Sequence, residues 1–167
     1  MGVAIVAAAI RPLAHADRER VREIIVATDT FTASEVATAM ELIDEWLAAS
    51  EASDYLTYVL DDPDNGGVRG YVCFGPTPLT DSTYDLYWIA VDPAVQGRGY
   101  GRQLTQFAEG EVRRRGGRTL LIETSSLDKY APTVHFYESS NYSLVARIPN
   151  FYREGDDKLI YAKDLAK

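Results

Sequence analysis

The sequence predicts a mixed α/β protein that forms a single domain over residues 1–167, with the element order β-α-α-β-β-β-α-β-α-β-β around a central mixed sheet. Three observations support this fold class. Short strand-like runs alternate with segments whose apolar residues recur at helical spacing. No repeat or low-complexity stretch divides the chain. A length of 167 residues, with 46% hydrophobic and 25% charged residues, is typical of one soluble globular domain.

The N-terminal part predicts one strand followed by two helices. Ala4–Arg11 is a strand-like run that ends at Pro12. Asp17 is placed to cap the first helix, and Thr32–Glu35 has the spacing of a capping box that opens the second. The apolar stripes are Val21, Ile24, Ile25 and Thr28 in the first helix, and Val36, Met40, Ile43, Trp46 and Leu47 in the second.

The middle of the chain predicts a hairpin and then a central strand. Asp54–Leu60 and Val68–Phe74 are β-rich runs joined by the dense turn signal Asp61–Gly67. After a break at Gly75–Pro78, Thr83–Val91 is apolar on both alternating faces, so we expect a strand covered on both sides.

The C-terminal part predicts a long helix and an alternation of short elements. The helix runs from Gly99 to about Arg115, where Gly116-Gly117 ends it. The later elements are a strand Thr119–Glu123, a helix Ala131–Ser140, and strands Tyr142–Ile148 and Lys158–Asp164 joined by a loop Pro149–Asp157.

The charge balance limits the partners. Asp and Glu outnumber Lys and Arg by 25 to 17, a net charge of −8, which argues against nucleic acid because its backbone binds basic surfaces. Acidity favours an amine-bearing substrate mildly and also serves solubility. No apolar run approaches the ~20 residues of a membrane helix, and the apolar start Met1–Ile10 lacks the basic flank of a signal peptide. We therefore expect no membrane partner.

Cysteine and histidine usage is sparse. Cys73 is the single cysteine, so no intrachain disulfide can form, which fits a cytoplasmic protein. Its apolar surroundings predict a small buried hydrophobe and not a catalytic thiol. His15 and His135 stand at no spacing typical of a triad or a metal site, and we predict no metal.

A glycine-rich turn links the central strand to the long helix and predicts an anion site. The turn reads Gln96-Gly97-Arg98-Gly99-Tyr100-Gly101-Arg102. Glycines let the backbone adopt positive φ, the first N–H groups of a helix lack internal partners, and two arginines add positive charge. A Walker loop is excluded because Gly101 is followed by Arg102-Gln103, and the glycine spacing does not match the dinucleotide fingerprint.

This turn resembles the Q/R-x-x-G-x-G/A signature of the GCN5-related N-acetyltransferase (GNAT) superfamily, and the element order resembles the GNAT fold over essentially the whole chain. The resemblance implies that the turn, Gln96 to Arg102, holds the pyrophosphate of acetyl-CoA. It also implies that strands four and five splay apart and that the backbone of Ile89, Ala90 and Val91 pairs with the pantetheine arm.

A second motif carries the same resemblance. His135-Phe136-Tyr137-Glu138 followed by Asn141-Tyr142 is similar to the family segment F-Y-x-x-x-G-F/Y. The resemblance implies that Tyr137 protonates the departing thiolate and that Phe136 lies beside the cofactor. A phenol suits this role because it is a neutral donor near pH 7. Asn141 replaces the usual glycine, a mild departure since asparagine tolerates the left-handed conformation.

Two carboxylates match positions where the family places its general base. Glu123 ends strand five, as in ribosomal-protein alanine acetyltransferases, and Asp85 lies in strand four, as in histone acetyltransferases. We favour Glu123, because it stands at a strand end near the expected splay, and Asp85 remains the alternative. The asparagine that often holds a pantetheine amide is missing here; Thr124, Ser125 or Ser126 could replace it, and Tyr130 could line the arm.

The acceptor is not encoded in any motif. Aromatic side chains of the first two helices, the Pro76 region and the last loop are candidate walls, and each also suits a core: Phe31, Trp46, Phe74, Tyr87, Phe151 and Tyr152. The resemblance implies acetyl transfer to a primary amine of a small molecule or peptide. Two alternatives stay open: a longer acyl-CoA or an acyl carrier protein as donor, and a non-catalytic module that senses acyl-CoA. The protein is expected to be a monomer or a homodimer.

Overall fold

A computed structural model describes residues 8–64 and 66–166, and within them the chain forms seven strands and four α-helices in the predicted order. The mixed α/β fold is thereby confirmed. The elements are β1 (Ala9–Pro12), α1 (Arg18–Ala27), α2 (Ala33–Ala49), β2 (Leu56–Asp61), β3 (Val68–Pro76), β4 (Thr83–Val91), α3 (Tyr100–Arg114), β5 (Thr119–Ser125), α4 (Ala131–Ser139), β6 (Ser143–Arg153) and β7 (Asp156–Asp164).

The strands form one mixed sheet in the order β1-β2-β3-β4-β5-β7-β6. Strands β4 and β5 are parallel, whereas β5–β7 and β6–β7 are antiparallel. The parallel pairing runs from Thr83 with Thr119 to Leu86 with Ile122. Both strands continue past the last of these pairs, β4 to Val91 and β5 to Ser125.

Contact density divides the chain into two compact units, and the first contains residues up to Cys73 together with Trp88–Phe107. Its helices bury most of the predicted apolar stripes, whereas Thr28, Val36 and Leu47 are half-buried. In α2 the capping box is confirmed: Thr32 Oγ1 accepts from the Glu35 N–H at 3.2 Å, and Glu35 Oε2 accepts from the Thr32 N–H at 2.6 Å. The fully buried side chains of α1, α2, β2 and β3 include Val21, Ile24, Ile43, Val59, Leu60 and Val72.

The second unit contains Phe74–Tyr87 and the chain from Ala108 onward. One face of β5 and β7 is buried through Leu120, Ile122, Leu159 and Tyr161. The opposite face carries Asp85 of β4 and Glu123 of β5, which the parallel register and the two-residue period of a strand place on the same side. On this face Asp85 is half-buried and Glu123 is exposed.

Two element predictions in the C-terminal part need correction. The predicted loop Pro149–Asp157 is largely strand, because β6 extends to Arg153 and closes on β7 through the pair Arg153–Asp156. Pro149 and Asn150 are residues typical of turns, and Asn150 has φ of 53°. The strand continues through them because the pairing with β7 shifts register between Ile148 and Arg153. The Asn150 N–H donates to the Asp157 carboxylate at 2.8 Å. Thr124 and Ser125 also belong to a strand, since β5 extends to Ser125.

Two further results concern the predictions for the N-terminal part. The first strand begins at Ala9, and residues 4–7 of the predicted strand lie outside the described residues. Asp17 stands at the N-cap of α1 but does not cap it, because its carboxylate accepts from the Ala14 N–H at 2.9 Å and from Arg11 at 2.7 and 3.0 Å. In the part of the chain that the structure describes, no helix is long and apolar enough to cross a membrane.

Candidate active site

The glycine-rich turn adopts the backbone expected of an anion-binding loop. Gly97 and Gly99 have φ of +84° and +80°, a left-handed conformation that side chains rarely adopt. Helix α3 begins at Tyr100, and the Gln103 N–H bonds to the Gly99 carbonyl at 3.0 Å, so Gly99 occupies the N-cap. The next N–H groups therefore have no partner inside the helix, and the helix dipole adds positive potential there.

Side chains around this turn contribute further positive charge. Arg98 is 49% exposed and its Nη1 lies 3.8 Å from Oδ2 of the buried Asp62, in the turn after β2. Arg102 and Gln96 are exposed, whereas Tyr100 is buried. The turn is thus accessible, with guanidinium groups beside a helix N-terminus, an arrangement that suits a phosphate or pyrophosphate.

A buried carboxylate that sequence reasoning missed fixes the entry to the turn. Asp92 Oδ1 accepts from the Ala94 N–H at 3.0 Å, while Oδ2 accepts from Arg69 at 3.0 Å and from Arg20. Burial acts to raise the pKa of Asp92, but these hydrogen bonds and charges outweigh it and hold the pKa below its usual value. The carboxylate therefore stays ionised and ties α1 and β3 to the start of the turn.

The strand before the turn carries the residues predicted to face the pantetheine arm. Ala90 is buried at 5% exposure, and Ile89 and Val91 are half-buried. One step earlier, Trp88 makes an edge-to-face contact with Phe31, the ring centroids lying 5.0 Å apart. Phe31 thus stands in an aromatic pair of the first unit, half-exposed and available as a wall.

In the second unit, Tyr137 projects from the last full turn of α4 and is 3% exposed. Burial raises the pKa of its phenol, which keeps the hydroxyl protonated at neutral pH. The rings of Phe136 and Tyr142 lie 5.4 and 5.8 Å from the Tyr137 ring, both edge-to-face. Asn141, after the helix, has φ of +67°, the left-handed conformation expected from its place in the motif.

The two candidate bases occupy one face of neighbouring strands with a lysine that sequence reasoning missed. Lys158 of β7 lies 2.7 Å from Glu123 Oε2, and Glu123 is 47% exposed. Asp85 is half-buried and accepts from Thr77 Oγ1 at 2.7 Å. Burial raises the pKa of Asp85, and the Glu123 carboxylate raises it further, whereas Thr77 and Lys158 lower it. Asp85, Glu123 and Lys158 therefore interact electrostatically.

Two of the candidate replacements for the missing asparagine, Ser125 and Ser126, form hydrogen bonds within the protein. Ser125 Oγ donates to Asp156 and accepts from the Leu127 N–H, and Ser126 Oγ accepts from the Asp157 N–H at 2.8 Å. These hydroxyls hold the β5–β7 end together. Thr124, 8% exposed, remains the candidate for a pantetheine contact, and the half-exposed Tyr130 remains a candidate lining residue.

The remaining aromatic candidates fall into two groups. Trp46 and Phe74 are 3% and 0% exposed, and Trp46 Nε1 donates to the Leu13 carbonyl, so both have packing roles. Tyr87 is half-exposed, and Phe151 and Tyr152 are exposed at the end of β6. Lys158 Nζ lies 4.4 Å from the Phe151 ring centroid, which connects this aromatic pair to the carboxylates.

No group of three or more His, Cys, Asp or Glu side chains is arranged to hold a metal ion within residues 8–64 and 66–166. Asp85 and Glu123 are candidate proton acceptors, because a carboxylate can accept a proton and both lie on one face of neighbouring strands. A carboxylate of raised pKa, such as Asp85, and a neutral phenol, such as Tyr137, are groups that can move protons between a nucleophile and a leaving group.

Comparison with known proteins gives a family match. A family model described as "Acetyltransferase (GNAT) family" matches residues 18–142. A GNAT-family protein from Desulfovibrio desulfuricans, known from its crystal structure, is 44% identical, with a TM-score of 0.90 over 95% of this chain and 99% of that one. A protein from Salmonella typhimurium, solved with its cofactor acetyl-CoA, has a TM-score of 0.73 at 22% identity over 97% and 96% of the two chains.

Two curated enzymes are also similar. L-methionine sulfoximine/L-methionine sulfone acetyltransferase of Salmonella typhimurium is 33% identical over 109 residues, 64% of this chain and 63% of that enzyme. The match therefore spans a little under two thirds of that enzyme's length. The ribosomal protein bS18-alanine N-acetyltransferase of Escherichia coli is 28% identical over 122 residues, 73% of this chain and 78% of that enzyme.

Proposed function

The chain belongs to the acetyltransferase (GNAT) family, and from that premise we propose that it moves an acetyl group from acetyl-CoA to the primary amine of a small molecule or peptide in a ternary complex. As a member of this family it is an acyl-CoA-dependent N-acyltransferase. The observation that carries the proposal is the left-handed pair Gly97 and Gly99 at the exposed N-terminus of α3. The site of action is proposed to be the cytoplasm.

The donor is proposed to bind mainly through backbone groups. Its pyrophosphate would accept from the N–H groups of the turn Gln96–Arg102, with Arg98 and Arg102 adding charge. The pantetheine arm would pair with the backbone of Ile89–Val91, with Thr124, Tyr130 and Phe136 as further contacts. The backbone conformation of Gly97 and Gly99 supports this assignment, because it allows close approach of the chain to an anion.

The proposed chemistry is direct attack. The amine loses a proton and attacks the thioester carbonyl carbon, and a strand-four amide stabilises the oxyanion. The carbon–sulfur bond then breaks, and the sulfur takes the Tyr137 proton. The buried, protonated phenol of Tyr137 supports this role, because a neutral acid is available at neutral pH.

The general base is proposed to be Glu123 or Asp85, and the contacts favour Asp85. Glu123 is already engaged in an ion pair, because Lys158 Nζ lies 2.7 Å from its Oε2. Asp85 is half-buried with a raised pKa, and a base of higher pKa takes a proton from an ammonium group more readily.

The acceptor is proposed to carry its amine next to a carboxylate or carbonyl group. The curated relatives described above are named for the acetylation of L-methionine sulfoximine or sulfone and of an alanine of ribosomal protein bS18, and both kinds of acceptor have an α-amine. The mixed-charge group supports this choice, since Asp85 and Glu123 attract an ammonium while Lys158 attracts a carboxylate and disfavours polycations. Tyr87, Phe151, Tyr152 and Phe31 are proposed walls.

A thermal-shift titration tests donor binding first. Acetyl-CoA and CoA at 100 times their dissociation constant should stabilise the protein by about 2.7 kcal/mol. Dephosphorylated CoA should act more weakly, and ATP should not compete. A panel of amines is then assayed for CoA release, with L-methionine sulfone, an alanyl peptide, the corresponding decarboxylated amines and a polyamine.

Each outcome has a clear reading. A shift with acetyl-CoA and release of CoA with α-amines support the proposal. A shift without turnover on any amine supports a non-catalytic module that senses acyl-CoA. If no CoA species produces a shift, the CoA donor is excluded, and a carrier-protein donor becomes the leading alternative.

A further inference from the structure

Three side chains of the second unit, to which the proposed chemistry gives no role, form a buried polar group next to the end of α4. Glu109 of α3 is 5% exposed and receives three hydrogen bonds from two residues. The Tyr142 hydroxyl donates to its Oε1 at 2.9 Å, and Lys163 Nζ of β7 donates to Oε1 and Oε2 at 3.0 and 3.1 Å. We call Glu109, Tyr142 and Lys163 the clamp.

The clamp reaches the end of α4 directly. Lys163 Nζ also donates to the Ser140 carbonyl at 3.1 Å, where the helix has just ended. The Tyr142 N–H donates to the Tyr137 carbonyl at 3.0 Å, and the Tyr142 ring packs edge-to-face on the Tyr137 ring at 5.8 Å. Backbone and ring of Tyr137 are thus both held by Tyr142, whose own hydroxyl is held by Glu109.

Stability alone does not account for such a group. A buried ion pair gives up hydration on both partners, and replacing it by apolar side chains is often neutral or stabilising. What such a group does provide is a fixed orientation of its side chains, because hydrogen bonds to charged groups fix angles as well as distances. A phenylalanine at position 142 would supply the same ring contact to Tyr137 without fixing the position of that ring.

We propose that Glu109, Lys163 and Tyr142 position Tyr137 for proton transfer to the departing thiolate. This inference rests on the proposed function, in which Tyr137 is the acid. Tyr142 is a positioning residue: its hydroxyl, locked on Glu109, sets the ring against which Tyr137 packs, and Lys163 fixes the helix end between them. General acid catalysis requires donor and acceptor within hydrogen-bond reach, so a small displacement of Tyr137 lowers turnover.

The test compares Tyr142→Phe with Tyr161→Phe. Each substitution removes the hydroxyl of a buried tyrosine, Tyr142 at 3% and Tyr161 at 2% exposure. The Tyr142 hydroxyl donates to Glu109, whereas the Tyr161 hydroxyl donates to Glu138 at 3.2 Å. We expect Tyr142→Phe to lower kcat about three- to tenfold, with KM for acetyl-CoA within twofold, and Tyr161→Phe to leave kcat within twofold. Glu109→Gln should lower kcat at least as much, since Lys163 then lacks its anionic partner.

A double-mutant cycle shows whether the clamp acts through Tyr137. In the Tyr137→Phe background, adding Tyr142→Phe should leave kcat unchanged, because there is no acid left to position. If the two reductions in kcat multiply, Tyr142 acts independently of Tyr137 and the proposal is overturned. It is also overturned if Tyr142→Phe leaves kcat unchanged, or if kcat recovers once rates are corrected for the folded fraction.

A spectroscopic readout separates this inference from the proposed function. Protein labelled with 3-fluorotyrosine is examined by 19F NMR, with the Tyr137 signal assigned through Tyr137→Phe. We expect Tyr142→Phe and Glu109→Gln to shift or broaden that signal, and Tyr161→Phe to leave it in place. An unchanged signal overturns positioning even if Tyr137 is the acid. Full turnover of Tyr137→Phe would instead reject the acid role, whatever the spectrum shows.

Discussion

The turn Gln96–Arg102 and the clamped end of α4 contrast in how each is held. The turn is exposed, its conformation is set by Gly97 and Gly99, and what it offers a ligand is mainly backbone. At the end of α4, Tyr137 and Tyr142 are buried, and the geometry depends on side chains of α3, of β7 and of the loop between α4 and β6. We infer that the turn governs affinity for the donor, whereas the end of α4 governs turnover.

The largest expected effect is a loss of turnover caused by a substitution at the end of α4. Tyr137→Phe should lower kcat about 100-fold, within the range for loss of a general acid, and leave the dissociation constant of acetyl-CoA within twofold. Steady-state kinetics and calorimetric titration measure the two quantities. A large loss of affinity with unchanged kcat would break the contrast, because Tyr137 would then belong to the donor-binding group.

The next effect concerns the turn. Gly99→Val places a branched side chain at φ +80°, where left-handed strain costs roughly 1–2 kcal/mol, equivalent to a dissociation constant about 5- to 30-fold higher if the turn rearranges. Gly155→Val is the matched control, since Gly155 has φ of +78° and open space around it. Calorimetry should show weaker acetyl-CoA binding for Gly99→Val only, although both variants lose thermal stability.

A smaller effect is expected from one exposed arginine. Arg102→Gln removes a charge beside the helix N-terminus and should raise the dissociation constant of acetyl-CoA about two- to fivefold, as for an exposed ion pair. The difference from the unsubstituted protein should shrink as salt screens the charge. Arg22→Gln, an exposed position on α1, should leave affinity unchanged. Equal losses for both variants would indicate a general field and not a local contact.

The smallest effect at neutral pH lies in the acid limb of kcat/KM, which falls when the base is protonated. Glu123→Gln removes a carboxylate that raises the pKa of Asp85, so the limb should move to lower pH. Lys158→Met removes a cation that lowers the same pKa, so the limb should move to higher pH. Both directions follow if Asp85 is the base. If Glu123 is the base instead, Glu123→Gln abolishes the limb together with most of the activity.

The sequence predicted those features that neighbouring residues determine. The capping box at Thr32 and the left-handed Asn141 depend on residues within a few positions, and both are confirmed. The extension of β6 past Pro149 was missed, because the pairing of β6 with β7 and a hydrogen bond from the Asn150 N–H to the Asp157 carboxylate override the local turn signal. Lys158 was missed as a partner of Glu123 because only the β5–β7 register brings them together.

The clamp could not be predicted from the sequence, because its members are far apart along the chain. Glu109 and Tyr142 are 33 positions apart, and Glu109 and Lys163 are 54 apart. From the sequence, Glu109 resembles any other acidic residue on the surface of a helix, because only the fold brings Tyr142 and Lys163 to it. The roles of Tyr137, Asp85, Glu123 and the donor-binding residues remain predictions for the experiments above.

Because Cys73 is buried, we expect the folded protein to react only slowly with thiol reagents. The Cys73 side chain is 0% exposed, and burial raises the thiol pKa to about 12, so the reactive thiolate is almost absent at neutral pH. Free CoA released during turnover would therefore be the reactive thiol in solution. Since the sequence contains one cysteine, slow labelling of the protein itself would report its opening, and acetyl-CoA should retard that labelling.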